Sequence, residues 1–288
     1  MARARLYWLT FLAMLAFAGN SLLCRLALHH TQIDPLSFTS LRLVSGALAL
    51  WLIVRFAPPG QPGQGNWRSA AALFAYALAF SMAYVQLGAA TGALLLFGSV
   101  QATMIGHGLW VGERLRVLQW VGCTMALAGL GSLLIPGATA PPWGSAALMA
   151  GAGLAWGIYS LRGKGAGDAT RVTAGNFLLT VPMAVMVSLV VPALPIGLKL
   201  SLDTWGVVSA ITSGAVASGV GYAIWYSVLP WLKSVQAAAV QLSVPVLAAL
   251  GAIAFLGEGL SWRLVFASIT ILGGIALVIS DKKPAKTG

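Results

Sequence analysis

Hydrophobic positions fall into ten long runs, at residues 6–28, 35–56, 67–87, 92–111, 118–135, 143–161, 172–191, 204–229, 235–256 and 261–280. Each run is about 20 residues, enough to cross ~30 Å of hydrocarbon as a helix. Polar residues cluster in the short gaps between runs, and no gap is long enough to fold as a separate soluble domain. The ten-residue alternation of a membrane barrel is missing from the sequence. Backbone groups have no water to bond to inside a bilayer, so the pattern predicts an all-α membrane protein of ten transmembrane helices. The first run follows Arg3 and Arg5, as a signal peptide would, but it is longer than a typical signal core and Arg25 lies at its far end. It reads as a retained first helix.

The runs repeat. Val111-Gly112-Glu113-Arg114-Leu115 follows the fourth run, and Leu256-Gly257-Glu258-Gly259-Leu260 follows the ninth. Gly112 and Gly257 are 145 positions apart, as are Leu115 and Leu260, Leu127 and Leu272, and Gly129 and Gly274. Leu15-Ala16-Phe17-Ala18-Gly19-Asn20-Ser21-Leu22 in the first run is echoed by Leu154-Ala155-Trp156-Gly157-Ile158-Tyr159-Ser160-Leu161 in the sixth. The pattern predicts one five-helix repeat over residues 1–137 and a second over 138–288, the latter ending in a short basic tail. An odd helix number per repeat forces the copies to insert in opposite directions. Inverted repeats are a transporter plan, with the substrate site in a central cavity between the halves.

Composition sharpens this picture. Hydrophobic residues make up 59% of 288 and charged residues 8%, against roughly a quarter charged in soluble domains. The net charge of +11 is unevenly placed. With both termini cytoplasmic, all 17 basic residues except four fall on the cytoplasmic side: Lys199 and Arg263 lie opposite, and Arg25 and Arg42 lie within runs. That asymmetry predicts this orientation, and the chain is read as a multi-pass protein of the cell inner membrane. The charge then answers to anionic lipid headgroups and not to nucleic acid. Cys24 and Cys123 both sit in apolar runs, as small packing residues. No metal or cofactor framework is predicted.

Polar side chains within the runs nominate the site. Residues three, four, seven or eight apart share a helical face. Phe17, Ser21 and Arg25 form one row with Asn20 beside it; Tyr76, Phe80 and Tyr84 form a second; Ser99, Thr103 and His107 a third. Trp156 aligns with Ser160 and is flanked by Tyr159, Ser218 stacks with Tyr222 and Tyr226, and Gln241 stacks over Pro245. Hydrocarbon offers no hydrogen bonds, so such rows turn inward. The predicted cavity residues are Asn20, Ser21, Tyr84, Ser99, His107, Trp156, Tyr159, Tyr222 and Gln241. Each has a plainer reading: Ser and Thr bond their own helix backbone or a neighbour, and Tyr and Trp anchor at interfaces. His107 reads either as a hydrogen-bonded structural histidine or as a substrate or proton contact. Arg42, embedded in the second run, can snorkel, pair or meet substrate. Pro245 kinks its helix or hinges a gate, and Glu113 and Glu258 order their turns and pair with arginines. Arg25, near a helix end, is expected to snorkel.

Paired halves, the aromatic-small pairs Phe17-Ala18 and Trp156-Gly157, Arg42, Pro245 and the two Gly-Glu turns together resemble the drug/metabolite transporter superfamily. Within it the chain is similar to the ten-helix EamA-type exporters and, most specifically, to the YddG-like amino-acid exporters. The resemblance implies export of small metabolites, amino acids first, aromatic or otherwise hydrophobic ones included, by alternating access. A drug or nucleotide-sugar carrier of the same superfamily is the alternative. An intramembrane enzyme built on Ser99 and His107 is disfavoured, because side chains two turns apart on one helix do not reach one another and no acidic partner is at hand. Gly122, Ala126, Gly129, Gly273, Gly274 and Ala276 let helices approach closely, as packing between the repeats or as a homodimer contact, with a monomer equally in view.

Overall fold

A computed structural model describes residues 2–58, 63–112, 115–135, 140–163, 167–191, 200–232, 240–241 and 243–280. Ten helices carry the described chain: α1 (Arg3–His30), α2 (Pro35–Phe56), α3 (Trp67–Tyr84), α4 (Ala89–Trp110), α5 (Val117–Leu134), α6 (Trp143–Arg162), α7 (Ala169–Val190), α8 (Thr204–Trp231), α9 (Ser243–Leu256) and α10 (Trp262–Ser280). Helices α1, α2, α4, α7 and α8 are each long and apolar enough to cross a membrane unaided. Large apolar side chains coat the outside, among them Phe56, Trp110, Leu189 and Trp262. That surface is stable only against hydrocarbon.

Helix starts are set by short polar side chains that accept the otherwise unpaired first N–H groups. Asp34 accepts from Leu36 and Ser37 at 2.9 and 3.0 Å to start α2, and Asp168 accepts from Thr170 and Arg171 at the same distances to start α7. Asn66 caps α3 through Ser69 N, and Asp203 caps α8 through Gly206 N. These are equivalent places in the two halves. The Gly-Glu turns match as well: Gly112 and Gly257 take φ of +89° and +63°, the left-handed region in which glycine ends a helix without a Cβ clash.

Packing obeys the same exchange. Helix α3 packs on α6 as α8 packs on α1, α4 packs on α6 as α9 packs on α1, and α2 pairs with α7 as α5 pairs with α10. Glu258, just after α9, touches Ala89 at the start of α4, so these equivalent helices run in opposite directions. The halves are thus inverted copies. Helices α5 and α10 form the closest pair at the bundle's edge. A Cβ on Gly122 would collide with Gly274 O, and one on Gly274 with Gly122 O, whereas Gly273 faces open space.

Helix α8 departs from the regular helix that its apolar run predicts. It is α-helical over Thr204–Thr212, π-helical over Ser213–Val220 and α-helical again over Gly221–Val228. Its backbone lies hard against α2 there: a Cβ on Gly214 would collide with Ser45 Oγ and the Arg42 carbonyl. A π-turn is wider than an α-turn and is often found at functional sites. Here it turns Ser213 and Ser218, five apart, toward the bundle centre, where both are buried.

Candidate functional site

A cavity lies at mid-height where α1, α3, α4, α6, α8 and the residues before α9 meet. Its walls are Phe17, Asn20, Ser21, Tyr76, Phe80, Leu96, Phe97, Trp156, Ala217, Tyr222 and Gln241. The cavity is small: a water-sized sphere has only about 20 Å³ in which its centre can move. That admits water and little more, so a larger guest requires the walls to part.

Aromatic rings dominate the lining. Trp156 stands 4.9 Å from Tyr76, 5.3 Å from Tyr222 and 5.4 Å from Tyr159, centroid to centroid. Tyr222 also meets Phe17 edge-on at 5.6 Å and Phe177 at 5.9 Å. Rings from both halves therefore interlock across the cavity, a wall suited to apolar or π-bearing groups.

One buried polar network backs this wall. Ser213 Oγ donates to Asn20 Oδ1 at 2.7 Å, and Asn20 Nδ2 points to Tyr76 Oη at 3.4 Å. Arg42 Nη2 donates to the same phenol oxygen at 3.2 Å, and its Nε approaches Ser218 Oγ at 3.5 Å. The guanidinium lies over the rings of Phe80 (4.9 Å) and Tyr76 (5.4 Å) and is 1% exposed. Its Nη1 is buried with no hydrogen-bond partner. The network joins α1, α2 and α3 to the π-stretch of α8, linking both halves.

At one end of the bundle the halves are tied together. Arg25 Nε donates to Glu258 Oε1 at 2.9 Å, and Arg25 Nη1 donates to the carbonyls of Tyr84 and Val85 at 3.1 and 3.2 Å. Glu258 Oε2 accepts from Ala89 N at 2.8 Å. One ion pair thereby joins α1, the turn after α9 and the α3–α4 turn. Arg25 is buried and paired, not snorkelling: its guanidinium has carbonyls and a carboxylate within reach and need not seek water. Ser145 Oγ donates to Gln86 Oε1 at 2.7 Å, tying α6 to the same end. Segment 32–34 is laced there to 201–203, through Asp34 with Ser201, Ser201 with the Gln32 carbonyl, and Gln32 N with Asp203. The Gly206 N–H, with further N–H donors around it, holds the Asp203 carboxyl below its ordinary pKa.

Of the nine cavity residues that the sequence predicts, Asn20, Ser21, Trp156, Tyr222 and Gln241 line this one cavity. Tyr84 is fully buried one level away, its ring against Gly92 and its hydroxyl on the Ala89 carbonyl at 3.3 Å. Ser99 lies against Gly153 of α6, and its carbonyl accepts from Thr103 Oγ1 at 2.8 Å. Tyr159 faces α7, its hydroxyl 3.4 Å from Thr173 Oγ1 and from Asn176 Nδ2. His107 is exposed on the last turn of α4 instead of standing inside the core, because α4 begins at Ala89 and ends at Trp110. Pro245 is buried near the start of α9. Glu113 lies outside the described residues. The stripe of Tyr76, Phe80 and Tyr84 is visible in the sequence, but the cavity takes its first two members where the sequence favours the third. Phe97, Leu96 and Ala217 carry no polar signal, and only the helix packing places them.

The sequence pattern of the EamA-like transporter family matches residues 4–135 and again 143–280. An uncharacterized protein of Pseudomonas aeruginosa is 54% identical over 283 residues, spanning 98% of this chain and 97% of its own. A solved crystal structure, described only as that of a protein, superposes with a TM-score of 0.64 at 18% identity, over 96% of this chain and 98% of the other. Its likeness is one of fold. Two matches in tandem account for nearly every described helix, and the chain belongs to the EamA-like transporter family.

Proposed function

We propose that this transporter exports small metabolites, amino acids with apolar or aromatic side chains first, across the bacterial inner membrane by alternating access. The observation that carries the reading is the mid-height cavity between inverted halves, walled by Phe17, Tyr76, Trp156 and Tyr222 and supplied with hydrogen-bonding groups by Asn20, Ser21 and Gln241. Rings accommodate an apolar side chain, and the polar groups orient the amino-acid head. The positive-inside asymmetry supports a cytoplasmic location for both termini and for the His107 end of α4. The Arg25–Glu258 lock then closes the outer side. Among the described residues a single guanidinium, that of Arg42, stands behind the cavity wall, where a nucleotide-sugar diphosphate would call for several cations. The described acids, Asp34, Asp168, Asp203 and Glu258, all sit at helix ends. The substrate's own gradient is therefore the driving force. Gly122, Gly129 and Gly274 are engaged between α5 and α10 of one chain, which supports their reading as packing within one chain.

The test is uptake of a panel of labelled amino acids into liposomes containing the purified protein, with and without an imposed pH gradient. Saturable, gradient-insensitive uptake that Trp156→Ala reduces at least about tenfold is expected, since the half-buried indole is the ring that meets Tyr76, Tyr159 and Tyr222 at the cavity. Transport of no amino acid contradicts the substrate class; full flux through Trp156→Ala removes that ring from the path.

A further inference from the structure

Arg42 presents an unusual balance of charge. A guanidinium stays charged in any protein environment, and burying one in a bilayer without a counter-charge costs ~2.5–3.5 kcal/mol on insertion scales. The four described carboxylates are engaged elsewhere: three cap helices and Glu258 holds Arg25. Arg42 is met instead by a phenol, a serine hydroxyl and two ring faces, and its Nη1 hydrogens are left over. The direction of the bonds adds to this. Tyr76 Oη accepts from both Arg42 and Asn20, which leaves its own hydrogen to be donated, and Tyr76 lines the cavity. Ser213 donates to Asn20 Oδ1, which fixes the amide so that Nδ2 is turned toward Tyr76 with one of its two N–H groups still to be donated. Tyr76 Oη–H and an Asn20 Nδ2–H are thus unspent donors on cavity-lining residues, with a fixed positive charge behind them.

We infer that the cavity binds its ligand through a carboxylate, received by Tyr76 Oη–H and Asn20 Nδ2–H with Arg42 as counter-charge, so that substrates are carboxylates and organic cations are excluded. This rests on the transport reading and narrows it. The carboxylate supplies the acceptors that the donor set calls for, and hydrogen bonds to a charged partner are the stronger kind. A carboxylate with an aromatic or apolar tail matches both halves of the site: the head meets the Arg42 network and the tail meets Trp156 and Tyr222.

The experiment measures ligand binding to the purified full-length protein by quenching of tryptophan fluorescence. The probes are 3-phenylpropionate, its neutral amide, phenethylamine and L-phenylalanine. The acid and phenylalanine are expected to bind at least about tenfold more tightly than the amide and the amine, the range that a charge-assisted hydrogen bond supplies. Tyr76→Phe keeps the ring and removes the donor; the acid's advantage over the amide should fall below about threefold while the amide's affinity is unchanged. Arg42→Gln should behave alike, and Arg42→Lys should keep part of the preference. Because Arg42→Gln can fail to fold, Tyr76→Phe decides the matter. Equal binding of acid and amide, tighter binding of the amine, an undiminished preference in Tyr76→Phe, or no binding of either acid overturns the inference. The two readings fail separately: amino-acid transport inhibited equally by acid and amide removes the carboxylate site alone. Selective acid binding without amino-acid transport removes the amino-acid class and leaves the carboxylate site standing.

Discussion

The two Gly-Glu turns share a dipeptide, a repeat position and a left-handed glycine, yet the ends of the molecule they mark are packed differently. At the Gly257 end, Glu258 is bonded to Arg25 and Ala89, and the first twelve residues of α4 are nearly all buried, Ala89 completely. At the Gly112 end, His107, Trp110 and Val111 are exposed, as Phe255 and Trp262 are beside Gly257, and hydrogen bonds from Arg162 to Ser69 and Asn66 and from Asn66 N to Asn176 hold α3 to α6 and α7. Among the described residues, no ion pair ties α4, α6 and α1 together there. A duplicated sequence thus yields one end sealed across α1, α4 and α9 by an ion pair and one end where, among the described residues, that seal has no counterpart. The proposed alternating access requires the halves to exchange these two arrangements, the seal passing from one end to the other.

The largest effect is expected from breaking the seal. Glu258→Gln leaves Arg25 largely buried beside an uncharged partner; breaking a buried pair costs about 3–5 kcal/mol, and the partial exposure of Glu258 argues for the lower end. A clear fall in melting temperature is expected, with increased reactivity of the cavity from the Glu258 side. No change in either would separate the ion pair from closure. Next comes the comparison of Gly257→Ala with Gly112→Ala. Both force a Cβ into the left-handed region at a cost of roughly 1–2 kcal/mol, but only the first also displaces Glu258. The Gly257 variant should therefore melt lower than the Gly112 variant; equal melting would show that the lock adds nothing to the turn.

Smaller effects sharpen the contrast at its edges. His107→Ala should transport within about twofold of the parent, as an exposed residue of the last turn; loss of transport would restore it to the path. Asp203, in the lacing of the sealed end, has a folded pKa below its ordinary value of 3.8. Its charge therefore stabilises the protein above pH 3.8, and that contribution disappears as pH falls through the lower folded value. Between pH 5 and 8, Asp203→Asn should lose the same stability at every pH, and melting curves across that range check it.

Much of this was legible in the residues because it depends on local chemistry. Ten apolar runs, capping acids before α2, α7 and α8, and glycine-ended α4 and α9 follow from hydrocarbon, unpaired N–H groups and left-handed φ. The candidate site was legible only in part, because long-range packing decides it. Tyr84 and Tyr76 share a stripe, and the bare Cα of Gly92 draws the first away from the cavity. Arg25 and Glu258 are 233 residues apart, and nothing local joins them. The π-stretch of α8 is hidden because Ser213–Val220 reads as an ordinary small-residue helix; the close approach of Gly214 to α2 accompanies it.

The most direct test is the sidedness of access to the cavity. With Cys24 and Cys123 replaced by alanine, Gln241→Cys places one thiol on the cavity wall, and a membrane-impermeant maleimide is applied to right-side-out and inside-out vesicles. Labelling from the His107 side alone, gained from the Glu258 side when Glu258→Gln is added, is the predicted result. Labelling from the Glu258 side in the otherwise unaltered protein would contradict it.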